Sequence, residues 1–248
     1  MKKLGIVLSL AALAGFASAK DLYQYQSEDL YKAEEHPITA LQIGLADPLQ
    51  IFPRNWTVAG LRLNIFDSNN YDFYGIDLGL VGLTGDDFYG LGVNLANWVD
   101  GDQTGLQIGA LFNVGNGNAA GCEIASFANY TRNVFSGFQT ALVNHNGAFY
   151  GFQIGALNWD KGISYGAQLG VANVNVNDFH GWSIGVFNYS ERQRGVQFGA
   201  VNVIDETGYG VQIGVFNAAA KFQGIQIGVL NFIGNAEVAV LPIVNAAF

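Results

Sequence analysis

The sequence predicts an all-β fold, an antiparallel meander closed into a membrane-type barrel of about fourteen strands. Three observations predict it: a repeat of about fifteen residues, alternation of apolar with polar or small residues inside each copy, and aromatic residues flanking the copies. The unit reads Gly, apolar, Gln, apolar, Gly, apolar, apolar, Asn. Its clearest copies begin at Gly105, Gly151, Gly210 and Gly224. The leading glycines fall at 60, 75, 90, 105, 121, 137, 151, 166, 181, 195, 210 and 224, at spacings of 14 to 16 residues. A degenerate copy, ALQIGLAD, starts at Ala40, which makes thirteen units. A last apolar segment from Glu237 to Phe248 completes an even number of strands, as single-chain bacterial barrels have.

The N-terminus comes first in the chain and points to export. Lys2 and Lys3 precede an apolar stretch from Leu4 to Phe16, and Ala17-Ser18-Ala19 follows as a small-residue cleavage site. That order is a secretory leader, too short to anchor the chain in a membrane. The expected organisation is a signal peptide over 1–19, a polar tail over 20–37 and one β-repeat domain over 38–248. Cleavage near Ala19 would remove two lysines and no acids, taking the net charge from −9 to −11. So acidic a chain lacks the footprint of a nucleic-acid binder and the basic patch that holds anionic lipid headgroups.

Composition narrows the class further. Only 12% of residues are charged and 33 are glycine, whereas soluble domains carry about 25% charge. Half the chain is apolar, so the glycine content does not signal disorder. Beyond the leader, no stretch approaches the ~20 apolar residues of a membrane helix. The one cysteine, Cys122, stands where sister copies carry Leu, Ile or Val, and reads as a small hydrophobe.

Within each unit the slots separate into two faces. The slots one, three and five residues after the leading glycine are apolar, as in Leu61, Leu63 and Ile65 or Val211, Ile213 and Val215. The slot two residues after it is polar: Arg62, Asp77, Gln107, Glu123, Gln139, Gln153, Gln168, Gln197, Gln212 and Gln226. A period of two is a strand. In a barrel those ten residues would face the lumen and hydrogen-bond water or a small polar solute, as in a passive pore. Segments such as Asp100-Gly101-Asp102 and Asn116-Gly117-Asn118 supply turns.

Strand length favours the barrel. About ten residues at ~3.3 Å each, tilted by ~40°, match the ~25 Å apolar band of an outer membrane. Tyr74, Tyr89, Tyr150, Tyr165 and Tyr209 at one end, with Trp98, Tyr130, Trp159 and Tyr189 at the other, would form the interfacial girdles. The alternative is a β-solenoid with 15-residue coils. Three features support it: the Asn seven residues after the glycine falls on the apolar face by parity, the connections are all short, and the copies are nearly identical. Against it, the second halves, such as Tyr189 to Arg194, show no consistent inward apolar row. A solenoid would then be a soluble structural or adhesive array with its valines and isoleucines inside.

The tandem GVQIGVFN units, over residues 60 to 231, resemble a family of bacterial surface-repeat proteins built from this signature. That resemblance implies a surface or envelope location and no catalytic residues. The end of the chain resembles in part the closing strand of bacterial outer-membrane barrels, with Phe248 at the terminus but Pro242 interrupting the ladder and Ala246 in the penultimate aromatic slot. The expected setting is an outer membrane or cell surface of Gram-negative type, with the lipid bilayer as partner.

No enzymatic activity or cofactor is expected. No nucleophile elbow, P-loop or His-Glu-x-x-His motif occurs, and the glycine-rich repeats precede no helix. His36, His145 and His180 read as structural or solvated. The pairs Asp86-Asp87 and Asp205-Glu206 read as solvated turns, a weak divalent-cation site being the alternative.

Overall fold

The computed structural model describes residues 36–248. The expected leader, and all but the last two residues of the expected tail, lie outside the described residues. Ten strands follow: β1 (Ile38–Ala46), β2 (Leu49–Gln50), β3 (Thr57–Asn70), β4 (Phe73–Thr84), β5 (Phe88–Val99), β6 (Gln103–Gly115), β7 (Ala119–Ala125), β8 (Ala128–Asp160), β9 (Ser164–Ile233) and β10 (Val240–Ala247). They form one sheet in the order β10-β9-β8-β7-β6-β5-β4-β3-β1-β2. β8 runs through two coils and β9 through five, because the corners stay extended enough to keep pairing.

The pairing is parallel, and like lies over like. Gly60 pairs with Gly75, Arg62 with Asp77, Gly90 with Gly105, Gln153 with Gln168 and Asn158 with Asn173. The offset between partners is the repeat length. The chain is therefore a β-solenoid, which corrects the expected antiparallel meander and its fourteen-strand barrel, and with it the porin-like pore. The physical reason lies in the second half of each repeat. A parallel strand needs a return connection of a dozen or so residues, and here the return path is itself a second wall of the coil. No tight hairpin joins one glycine unit to the next.

Antiparallel pairing occurs only at the two ends, between β1 and β2 and between β9 and β10. These are the sheet's edges, so the first and last strands do not meet. β10, expected to close a barrel, instead folds back as a cap on the final coil. All four prolines of the sequence, Pro37, Pro48, Pro53 and Pro242, lie in these end regions. Proline withholds a donor from the next strand and so blunts a sheet edge against further stacking.

The coil that starts at Gly151 shows the cross-section. Phe149, Gln153, Asn158 and Asp160 are buried, while Tyr150 and Ile154 are exposed. Alternation holds along the first wall and breaks at Ala156-Leu157, neither of which is buried. That break is the corner. It returns Asn158 to the interior, which explains the asparagine that strict parity had placed on the apolar face.

The leading glycines hold the first wall together. All twelve have φ between +119° and +157°, a region that other residues rarely adopt. A Cβ at Gly166 would lie 1.9 Å from the carbonyl oxygen of Gly151 beneath it, and the same backbone contact recurs up the stack. The second glycine of the unit serves a different need. A Cβ at Gly185 would meet the Gly170 carbonyl oxygen at 2.5 Å and the Asn173 amide at 3.0 Å, so its absence makes room for the asparagine row.

Among the described residues, apolar packing inside centres on three small clusters, with Phe179 buried apart from them. One is Val58, Phe73, Phe88 and Val99; the second is Ala119, Phe135 and Phe149; the third, near the C-terminal end, is Ile204, Ala219, Phe222 and Ile233. Most of the rest of the interior is polar. Gly166→Ala should therefore act on the backbone rather than on a core: it should lower stability by about 3 kcal/mol or more. Thermal unfolding by circular dichroism checks this, and an unchanged midpoint would contradict the stacked-glycine account.

Candidate interaction surface

The interior is built from two amide ladders. Asn97, Asn113, Asn129, Asn144, Asn158, Asn173, Asn188, Asn202, Asn217 and Asn231 stack one per coil. Each donates its side-chain N–H to the amide oxygen of the next, at 2.7 to 3.0 Å. From Asn113 on, the same nitrogens also donate to a backbone carbonyl of the next coil, as from Asn173 to Ile184 at 3.0 Å and from Asn217 to Ile227 at 3.0 Å. The ladder thus supplies partners to backbone carbonyls as well as to its own amides, as a buried backbone requires.

The second ladder is the row in which pore-lining residues were expected. Arg62, Asp77, Gln107, Glu123, Gln139, Gln153, Gln168, Gln197, Gln212 and Gln226 all face the coil's interior and are buried to 3% exposure or less. They bind one another and the opposite wall. Gln226 donates to Gln212 at 2.6 Å and Gln212 to Gln197 at 2.7 Å. Gln139 and Asn146 exchange hydrogen bonds across the coil at 3.1 and 3.0 Å, as do Gln168 and Asn175 at 3.2 and 2.9 Å. Ser183 replaces the glutamine in one coil.

Arg62 and Asp77 take this slot near the N-terminal end. The guanidinium meets the carboxylate at 2.9 and 2.8 Å, and Arg62 also donates to the Leu83 carbonyl at 2.7 Å. Asn64 and Asn94 donate to the same carboxylate at 2.6 and 2.9 Å, and the guanidinium lies 4.6 Å from the Phe73 ring centre. Removing one partner of such a pair strands a buried charge, which costs about 3–5 kcal/mol.

Two further carboxylates are buried without a cation. Burial pushes Glu123 up to about 8, against the opposing hydrogen bond from Gln139 at 2.5 Å. Burial likewise pushes Asp160 up to about 7, although Asn146, Gln153 and Gln168 donate to it. Both acids hold their protons more tightly when folded than when unfolded, so stability falls as pH rises from their ordinary range through these values. His145 works the other way: burial between Tyr130 and Trp159 lowers it to about 4, so its contribution grows only up to about pH 6.5. Glu123→Gln should raise stability at pH 8.5 by on the order of 2–4 kcal/mol and change it little at pH 5. Urea unfolding at the two pH values checks this, and an equal effect at both would contradict the buried-acid assignment.

The outer side of the first wall is the reverse of the interior. The slots one, three and five residues after each leading glycine point outward in coil after coil. Trp182, Phe198, Val186, Val215 and Val229 are 53 to 69% exposed. No charged residue occupies these slots from Leu61 to Val229; the departures from apolar character are Cys122, Ser126 and Thr140. This overturns the expectation that a solenoid would carry its valines and isoleucines inside. Along one margin runs a stacked aromatic row, with Tyr74 over Tyr89 at 5.2 Å, Tyr150 over Tyr165 at 5.3 Å and Tyr165 over His180 at 4.5 Å.

The remaining candidates stay apart. His36 stacks on Tyr71 at 3.6 Å and its Nδ1 donates to the Asn55 carbonyl at 3.0 Å. Glu206 pairs with Arg192 at 2.8 Å, and Asp87 accepts the backbone N–H of Asp102 at 2.9 Å. Among the described residues, no group of three or more His, Cys, Asp or Glu is placed to hold a metal ion. No helix among them is long and apolar enough to cross a membrane. No family model, curated protein or solved structure matches the chain.

Proposed function

We propose that this chain is a secreted or surface-attached β-solenoid, a structural or adhesive repeat protein that acts by contact rather than by chemistry. The observation that carries this reading is the uncharged apolar outer wall, repeated in every coil over a rigid hydrogen-bonded interior. A soluble monomer rarely leaves a contiguous apolar patch beyond a few hundred Å² uncovered, and larger ones mark surfaces that bind. The leader pattern at residues 1–19 and the resemblance of GVQIGVFN to surface repeats support delivery to the cell exterior.

Purified without detergent, the chain should fold to a β-rich species and be retained on an alkyl-coated surface. Replacing Val171, Val186 and Val215 with serine should leave the circular dichroism unchanged and cut retention about tenfold. Dependence on detergent for folding, or retention unaffected by the three serines, would contradict the reading.

A further inference from the structure

Resting on that contact reading, we propose that the occupant of the apolar wall is a second copy of this chain, the two solenoids packing face to face as a closed pair.

The dimensions come first. Twelve leading glycines at ~4.8 Å per parallel strand make a wall about 53 Å long. The three outward slots with their side chains make it about 17 Å wide at ~3.3 Å per residue. One copy would thus cover about 900 Å² and the pair about 1,800 Å², which is the size of a stable specific interface.

Charge also favours a second copy. The chain carries a net charge of −9, yet none of it falls in the outward slots of this wall. Two copies can therefore bring these faces together without opposing charges, while the tyrosine margin stays as a polar-tipped rim.

Shape favours a second copy too. The glycine row at Gly185, Gly199, Gly214 and Gly228 lies as a shallow groove between the ridges of Phe198 and Val215. Ridges of one sheet seat in the grooves of another at ~10 Å separation. A face of parallel identical rows is complementary to itself under a two-fold axis, which makes the contact isologous and closed.

The ends of the solenoid limit the assembly to a pair. Antiparallel caps and prolines block both edges, so copies cannot extend the sheet head to tail. At the C-terminal end of the groove, Ile243 holds φ +70° and is 74% exposed. A β-branched side chain held in that conformation and presented to solvent is accounted for if the partner's wall covers it.

Sedimentation velocity on the full chain without detergent tests this. The expected mass is twice 26.6 kDa. Val186→Asp with Val215→Asp should give a monomer with unchanged circular dichroism, the dimer constant weakening at least a hundredfold. Val176→Asp, exposed on the opposite wall, should leave the dimer intact. Maleimide labelling of Cys122, half-buried on the wall, should be slower in the dimer than in the Val186→Asp, Val215→Asp monomer. A wild-type monomer at 100 µM (about the concentration at which a 10 µM dimer would be mostly paired) would overturn the pair. So would a dimer that survives both wall aspartates, open-ended polymers, or a monomer that instead binds phosphatidylcholine vesicles. The monomer outcomes leave the alkyl-surface result standing, so failure of the pair and failure of the contact reading are separable.

Discussion

The fold depends on the asparagine that sits seven or eight residues after the leading glycine in ten successive coils, from Asn97 to Asn231. Its amide can donate to a neighbour and to a backbone carbonyl of the next coil, and accept in turn, only if the residue in the next coil is also an asparagine at the same depth. That condition demands parallel, in-register stacking with one repeat per coil. It also demands a corner just before the asparagine, a small residue (glycine, or Ala125 and Ala141) to clear space for the amide in all but the first ladder coil, and a coil length held to 14–16 residues. Stacked identical amides are a known source of order in parallel β assemblies, and here they are enclosed within one chain.

The arrangement reverses the usual distribution of polarity. Buried amides are acceptable only when nearly every donor and acceptor has a partner, and a ladder meets that requirement by repetition rather than by local invention. The apolar side chains are then free to line the outside. Stability in such a stack comes from each coil and its neighbours, as expected for a quasi-one-dimensional repeat. The ion pair of Arg62 with Asp77, and Glu123, occupy coils where the glutamine of the repeat is replaced, whereas Asp160 faces that row and accepts from Gln153 and Gln168. The small apolar clusters lie on either side of the polar middle, where Asp160, Asn175 and Ser190 succeed one another.

Much of this was legible in the sequence. The repeat, the strand character, the two faces and the inward direction of Gln153 or Gln212 all follow from a period of two. What misled was the assumption that a solenoid must bury valine and isoleucine. With that assumption, the second halves of the repeats lack an inward row; without it, Asn158 and Asp160 are the row. The signal was present in the pair of successive apolar residues before each asparagine, such as Ala156-Leu157, which marks a corner rather than a continued strand. Pro242 likewise argued for a capping edge strand against a barrel seam. The tyrosines read as membrane girdles are a stacked margin, because parallel register places each one over the last.

Parallel coiling fixes the distance between coils near the two ends of the wall. With Cys122 replaced by serine and spin labels at Leu78 and Ile227, each three residues after its leading glycine, pulsed electron resonance reads the span across ten coils. Parallel stacking at ~4.8 Å predicts about 48 Å. A distance below about 30 Å, as a closed fourteen-strand barrel would impose on the same two strands, would contradict the account.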